Sequence, residues 1–105
     1  MATRARRQYQ AVFPEVLAAK KVIDMASIAT GAQNTANTVT VPGAALGDNV
    51  QVSCSISQAG VGLQGYVSAA DTVTILATNA SGGAIDLASA TYYVIVEKLD
   101  PLLFL

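Results

Sequence analysis

Short runs that alternate apolar and polar residues dominate the chain from Thr38 to Lys98, with turn residues between them. In residues 50–56, for example, every second side chain is apolar. Successive side chains of a strand point to opposite faces, so this period of two predicts half-buried β-strands. We therefore predict an all-β protein, an antiparallel β-sandwich of about six to eight short strands, with a core built from Val39, Val41, Val50, Val52, Cys54, Ile56, Val73, Ile75, Val94 and Val96.

The last predicted strand, residues 90–97, is apolar on both faces. Tyr92, Val94 and Val96 alternate there with Tyr93, Ile95 and Glu97. A strand with two apolar faces is typical of the centre of a sheet, or of an edge that a partner covers.

Three segments follow from the pattern: an N-terminal arm over residues 1–21, a β-sandwich domain over residues 22–98 and an apolar tail over residues 99–105. Pro14 suits the first turn of a helix and Glu15 its positive end, so a short helix over residues 15–21 is one option for the arm. Residues 22–29 are ambiguous between helix and strand, and we favour a strand. Residues 30–37 form a polar connector.

Composition changes this picture in one respect. Of the 105 residues, 52% are hydrophobic and only 12% are charged, a low share of charge for one small domain. The apolar excess predicts a surface that contacts another protein, although much of it is alanine. No apolar run is long enough to cross a membrane, and the first ten residues lack the apolar stretch of a signal peptide.

Charge is distributed unevenly. Residues 1–21 carry five basic side chains and one acidic one, whereas residues 22–105 carry one basic and six acidic ones. A basic arm predicts docking on an acidic surface, and we favour a protein over nucleic acid because no aromatic residues are interleaved with the arginines. The contact residues expected in the arm are Arg4, Arg6, Arg7, Tyr9, Phe13, Val16 and Leu17.

The tail ends in four consecutive apolar residues, Leu102, Leu103, Phe104 and Leu105. Neither a strand nor a helix can turn four consecutive side chains toward its own core. We therefore expect this tail to contact a sister subunit or another protein, and a trimer is the first expectation.

Candidate chemistry is sparse. The chain has no histidine and a single cysteine, Cys54, which we interpret as a small buried hydrophobe in preference to a reactive thiol. Asp48, Asp71 and Asp86 lie beside turns, where aspartate caps the backbone more often than it binds calcium.

A GxGxxG spacing occurs at Gly60, Gly62 and Gly65, but no helix pattern follows it. A nucleotide site therefore has no support. We predict no enzyme activity, no cofactor, no metal and no small-molecule substrate.

Several segments carry a resemblance. These are Val-Pro-Gly-Ala-Ala-Leu-Gly-Asp at residues 41–48, Val-Ser-Ala-Ala-Asp-Thr-Val at residues 67–73, and Asn79 with Ile85-Asp86 ahead of a Tyr-Tyr-Val strand. Over residues 22–98 the chain resembles a family of small virion proteins of tailed phages and prophages. The resemblance implies a structural component of the particle, whereas the arm and the tail lie outside the shared pattern.

By this resemblance we expect a bacteriophage capsid decoration, or cement, protein on the outer surface of the virion capsid, made in the bacterial host cytoplasm. It would bind the major capsid protein and stabilise contacts between its subunits, with the arm and the tail as additional contacts. The alternative is a tail-fibre or head-fibre module that binds a receptor or a carbohydrate. That function needs exposed aromatic residues on one face, and the β region offers only Tyr66, Tyr92 and Tyr93.

Overall fold

A computed structural model describes residues 15–99, which form six strands and no helix. The predicted antiparallel β-sandwich is confirmed: two three-stranded antiparallel sheets have the orders β1-β6-β3 and β2-β5-β4. The strands are β1 (Glu15–Ile23), β2 (Gln33–Thr40), β3 (Asn49–Cys54), β4 (Val61–Ala69), β5 (Thr72–Asn79) and β6 (Ala90–Lys98).

Strand β6 is central, as its two apolar faces predict, and it pairs with β1 on one side and β3 on the other. Across the sandwich β1 contacts β2, and β3 contacts β4. Each sheet therefore has two edges, and the four edge strands are β1, β3, β2 and β4.

The core lies between the sheets and contains every predicted residue. Val39, Val41, Val73, Ile75, Val94 and Val96 are buried, whereas the four predicted residues of 50–56 are half-buried and pack against them. The predicted core omits ten further buried residues, which are Ile23, Met25, Ile28, Ala44, Val61, Val67, Ala77, Leu87, Ala90 and Tyr92.

The possible helix over residues 15–21 is wrong, because these residues belong to strand β1. The register pairs Glu15 with Lys98 and Ile23 with Ala90, so β1 completes a sheet on β6. The weak periodicity of residues 15–21 does not by itself favour an extended conformation. They form a strand because the edge of β6 offers backbone hydrogen-bond partners. Seven residues assigned to the arm therefore form part of the sandwich, and the strand favoured over residues 22–29 continues only to Ile23.

The polar connector expected over residues 30–37 is also partly a strand. Gln33 begins β2, and a bulge between Asn34 and Asn37 interrupts its ladder with β5. Backbone hydrogen bonds to β5 hold this segment, and they require no apolar side chains.

At the end of the sandwich where β1 begins, the turn at Pro42 and Gly43 is hydrogen-bonded to the β4–β5 connection. Ala44 N donates to Val41 O at 3.0 Å, and Gly43 has φ of +93°, so Pro42 and Gly43 form a type II turn. Asp71, in the β4–β5 connection, has φ of +60° and accepts a hydrogen bond from Gly43 N at 2.8 Å. The connection from β2 to β3 is thereby tied to the β4–β5 hairpin.

A buried amide joins two long connections at the opposite end. Asn79 is fully buried, and its Nδ2 donates to Ile28 O at 2.8 Å and to Gly83 O at 2.9 Å. Its Oδ1 accepts from the backbone N and the hydroxyl of Ser81. All four hydrogen-bonding positions of the amide are used, which fixes the loops around the Ile28–Ile85 bridge.

The sheets approach most closely at the seam between β3 and β4. A Cβ added at Gly65 would lie 2.6 Å from Val50 Cγ1 and 2.6 Å from Val52 Cγ2. Only glycine fits there, because both opposing methyl groups belong to branched side chains with few alternative rotamers.

Candidate functional site

The outer face of the first sheet carries the exposed apolar residues that the composition predicts. Along β1 the outward side chains are Val16, Ala18, Lys20 and Val22, and their neighbours on β6 include Ile95 and Tyr93. We define the outer strip as Val16, Ala18, Val22, Tyr93 and Ile95, all of which are exposed.

The rest of this outer face is polar. Outward residues of β3 are Asn49, Gln51 and Ser53, which lie beside Glu97, Ile95 and Tyr93 in the register. The apolar surface is therefore confined to the β1–β6 half of the sheet, where a shallow groove runs between Ala18, Lys20, Tyr93 and Ile95.

The outer face of the second sheet contrasts with the first. Its central strand β5 presents Thr72, Thr74, Leu76 and Thr78, and the flanking strands add mainly threonine and glutamine. Thr74 Oγ1 donates to Ser68 Oγ at 2.7 Å, so part of this polarity is satisfied internally. One outer face is thus hydroxyl-rich and the other carries the outer strip, which makes the first sheet the stronger candidate for protein contact.

A carboxylate marks the end of the outer strip. Glu97 shares a register row with Val16 and Asn49 and is 1% exposed. Its Oε1 accepts hydrogen bonds from Gln51 Nε2 at 2.7 Å and from Asn49 Nδ2 at 3.2 Å. The pattern correctly places Glu97 on the face of Tyr93 and Ile95, but its burial is a tertiary feature.

The same end of the sandwich carries further apolar exposure. Lys98 Nζ binds Asp48 Oδ2 at 2.7 Å and Gly43 O at 3.0 Å, which holds the 44–48 turn against the end of β6. Leu46, at the tip of that turn, is 72% exposed, and Leu99 is 37% exposed. The start of β1 and the end of β6 also meet at this end, because Glu15 pairs with Lys98.

The predicted contact residues separate in the structure. Val16 belongs to the outer strip, but Leu17 points inward, is half-buried and packs against the core. Val16 and Leu17 therefore lie on opposite faces of the sheet, because alternation along a strand sends neighbours to opposite sides. Outside the described residues lie Arg4, Arg6, Arg7, Tyr9, Phe13, Leu102, Leu103, Phe104 and Leu105.

The remaining members of the outer strip, Ala18, Val22, Tyr93 and Ile95, were missed as site residues. The signal that could have found them is the second apolar face of residues 90–97, which predicts either a central strand or a covered one. The first alternative holds, because β6 is central, and its outward side chains Tyr93 and Ile95 are exposed.

Two of the three aspartates beside turns accept hydrogen bonds from backbone amides. Asp48 Oδ2 accepts from Ala45 N at 2.9 Å, and Asp71 Oδ1 accepts from Gly43 N. Both contacts agree with the turn-capping interpretation. Among residues 15–99, no three His, Cys, Asp or Glu side chains are grouped as a metal site requires.

The glycines of the GxGxxG spacing lie on a strand and not in a phosphate-binding loop. Gly60, with φ of +89°, precedes β4, whereas Gly62 and Gly65 are within it. No helix follows them in the described chain, so the arrangement lacks the helix N-terminus on which a phosphate would sit.

The three tyrosines among residues 15–99 do not form a common platform. Tyr92 is buried, while Tyr66 is 46% exposed and Tyr93 is 44% exposed. Tyr66 points outward from β4 and Tyr93 outward from β6, so the two exposed rings lie on opposite faces of the sandwich. Carbohydrate binding by stacked aromatic rings thus has no site among the described residues.

Inside the core, Tyr92 lies opposite Cys54 in the register of β3 and β6. The Tyr92 hydroxyl is buried without a hydrogen-bond partner among the described residues, and burial, followed by the nearby Cys54, raises the pKa of Tyr92. Cys54 is half-buried, and its Sγ lies 3.1 Å from Ile56 O, a weak hydrogen bond within the strand end.

Replacing this tyrosine tests its environment. We expect Tyr92→Phe to leave the free energy of unfolding unchanged or to raise it by about 1 kcal/mol, because an unpaired buried hydroxyl is removed. Because the pKa of Tyr92 is raised in the folded state, the unfolded state loses the phenol proton more readily at alkaline pH. The free energy of unfolding is therefore unaffected by this group below about pH 10, the pKa of an unperturbed tyrosine, and falls as the pH rises further. Urea denaturation from pH 7 to pH 11 should show a smaller alkaline loss in the variant than in the parent protein. Destabilisation above about 1 kcal/mol at pH 7 would contradict an unpaired hydroxyl.

None of the described residues forms a helix of the length and hydropathy needed to cross a membrane. Comparison of the chain with models of protein families, with curated proteins and with solved structures found no match.

Proposed function

We propose that this protein is a bacteriophage capsid decoration protein, which binds the outer surface of the capsid and stabilises contacts between major capsid protein subunits. The observation that carries the proposal is the outer strip, an apolar surface on one outer face of a small sandwich whose other face is hydroxyl-rich. The resemblance of residues 41–48 and 67–73 to virion proteins supplies the identity of the partner.

In this proposal the protein stabilises the capsid by binding to it and catalyses no reaction. Each copy contributes modest apolar and polar contacts, and repetition over the symmetric shell makes the lattice difficult to open. In this proposal the basic arm and the apolar tail supply further contacts to the capsid.

A fibre module that binds a receptor or a carbohydrate is the less supported function. It would use exposed aromatic residues together, and Tyr66 and Tyr93 lie on opposite faces. The two functions differ in copy number, because a decoration protein occupies hundreds of sites on a particle and a fibre at most a few dozen.

The matched tyrosines provide the test. Tyr93→Thr removes an aromatic ring from the outer strip, whereas Tyr66→Thr removes an equally exposed ring from the opposite face. Threonine keeps the preference for strand, so both variants should fold. Burial of one large side chain contributes ~2 kcal/mol, so we expect Tyr93→Thr to weaken binding roughly thirty-fold and Tyr66→Thr to leave it unchanged.

Binding is measured by co-sedimentation of purified protein with phage particles made without it, and by counting bound copies at saturation. Hundreds of copies per particle, with the loss confined to Tyr93→Thr, support the proposal. Absence of binding, or saturation at a few dozen copies, contradicts capsid decoration. Equal loss in both variants would remove the outer strip as the contact surface.

A further inference from the structure

The four edges of the sandwich are not equally protected against pairing with another chain. Strand β2 is bulged and polar, β3 is short with polar outward side chains, and β4 contains Gly62 and Gly65. Each of these features discourages strand addition. Strand β1 has nine residues in unbroken register with β6 and contains neither glycine nor proline.

The charges along β1 are arranged for pairing with a copy of itself. An antiparallel pair centred on Ala18 places Glu15 opposite Lys21 of the second copy, and the two-fold axis creates this pair twice. Opposite residues in an antiparallel pair share a face with Cβ atoms about 5 Å apart, so both pairs of charges are within reach. A shift of the centre by one residue, to Ala19, would place Glu15 opposite Ile23 and lose both.

The same register joins the two outer strips. At this edge Ala18 lies opposite Ala18 of the second copy, whereas Val16 lies opposite Lys20. Lys21 points to the inner side of the sheet, where its Nζ donates to Thr38 O at 2.8 Å; two further ammonium hydrogens remain for the incoming Glu15.

We propose that two copies of this chain associate through their β1 strands, in antiparallel register centred on Ala18, to form a continuous six-stranded sheet. The association is a property of the chain alone and goes beyond capsid decoration. The free edge of β1, the reciprocal charges and the contact of the two outer strips at Ala18 all fit the same partner, a second copy. An edge that pairs in this way has no exposed backbone left for uncontrolled addition.

Charge exchange tests the register. Glu15→Lys and Lys21→Glu each replace two attractions by two repulsions in the dimer, and the double variant Glu15→Lys/Lys21→Glu restores both attractions with the signs exchanged. Because opposite charges on paired strands attract and like charges repel, we expect each single variant to weaken dimerisation about tenfold or more and the double variant to recover it. Asp86→Lys is the matched control, since it makes the same change in net charge as Glu15→Lys at an exposed residue outside β1.

The measurement is sedimentation equilibrium of the full chain over a wide concentration range, with a thermal melt of every variant to verify that it folds. A dimer weakened by both single exchanges, recovered in the double variant and unaffected by Asp86→Lys supports the proposal. A monomer at all concentrations overturns it, as does an oligomer that both single exchanges leave intact. Loss that persists in a folded double variant also overturns it, because the charges would then not be opposed.

Discussion

Asn79→Asp should be the most destabilising conservative change in this protein, lowering the free energy of unfolding by about 3–5 kcal/mol at pH 7. The replacement puts a carboxylate oxygen where the amide nitrogen donates to Ile28 O and Gly83 O. Two hydrogen bonds become repulsions in a fully buried site, where a charge without a partner is expensive. Against a total of about 5–15 kcal/mol for a domain of this size, this is a large share of the stability.

Acid should partly reverse this loss. Burial beside two carbonyls favours the protonated acid, so the new carboxyl has a folded-state pKa above its unfolded value of about 3.9. Its contribution is then present below about pH 4 and lost as the pH rises through the folded-state value. Urea denaturation of variant and parent at pH 3 and pH 7 measures the difference, which should be smaller at pH 3.

The control is Asn34→Asp. Asn34 is half-buried, and its Oδ1 accepts from Ala36 N at 2.9 Å, a role that a carboxylate fills equally well. We expect a change within ~0.5 kcal/mol, as for other substitutions near the surface. Similar losses at both positions would show that the amide donors of Asn79 are not what holds the loops.

Gly65→Ala should lower the free energy of unfolding by about 1–3 kcal/mol through overpacking of the seam between β3 and β4. The added methyl group would lie 2.6 Å from methyl carbons of both Val50 and Val52, and neither valine can move away by a simple change of rotamer. The sheets must separate there or the strands must bend.

The chain offers a matched control for this substitution. Gly62 is on the same strand, and its added Cβ would meet only Thr78 O at 3.9 Å, an ordinary contact. Gly62→Ala should therefore be neutral or stabilise by ~0.5 kcal/mol, through reduced freedom of the unfolded chain. Urea denaturation of Gly65→Ala and Gly62→Ala compares the free energy of unfolding at a crowded position and at an open one.

A double-mutant cycle identifies the cause. In a background of Val50→Ala and Val52→Ala the methyl groups are absent, so Gly65→Ala should have little further effect. The same loss in that background would indicate a backbone effect at residue 65 and not contact with the two valines.

The sequence by itself determined the parts of the fold that depend on local periodicity. Alternation over residues 50–56 and 90–97 correctly predicts strands and their inward faces, because the pleat sends successive side chains to opposite sides. The Pro42-Gly43 turn is equally local, since proline restricts φ and glycine accepts the positive φ that follows. The doubly apolar pattern of β6 likewise predicts its central place.

Tertiary structure alone decided what depends on distant partners. The strand state of residues 15–21 comes from the unpaired edge of β6, more than seventy residues away in the chain, and the strand state of residues 33–37 comes from the ladder with β5. Nothing in the sequence distinguishes Gly65 from the other glycines. Only the fold, which packs Val50 and Val52 against it, makes glycine necessary at this position.

The candidate site divides in the same way. The sequence indicated an apolar excess and a second apolar face on residues 90–97, but it could not show that Val16, Ala18 and Val22 lie beside Tyr93 and Ile95. That surface exists because β1 pairs antiparallel with β6 in one register, and a shift by one residue would turn the same side chains inward. Local alternation thus determined which residues share a face, whereas strand pairing decided which faces form a surface.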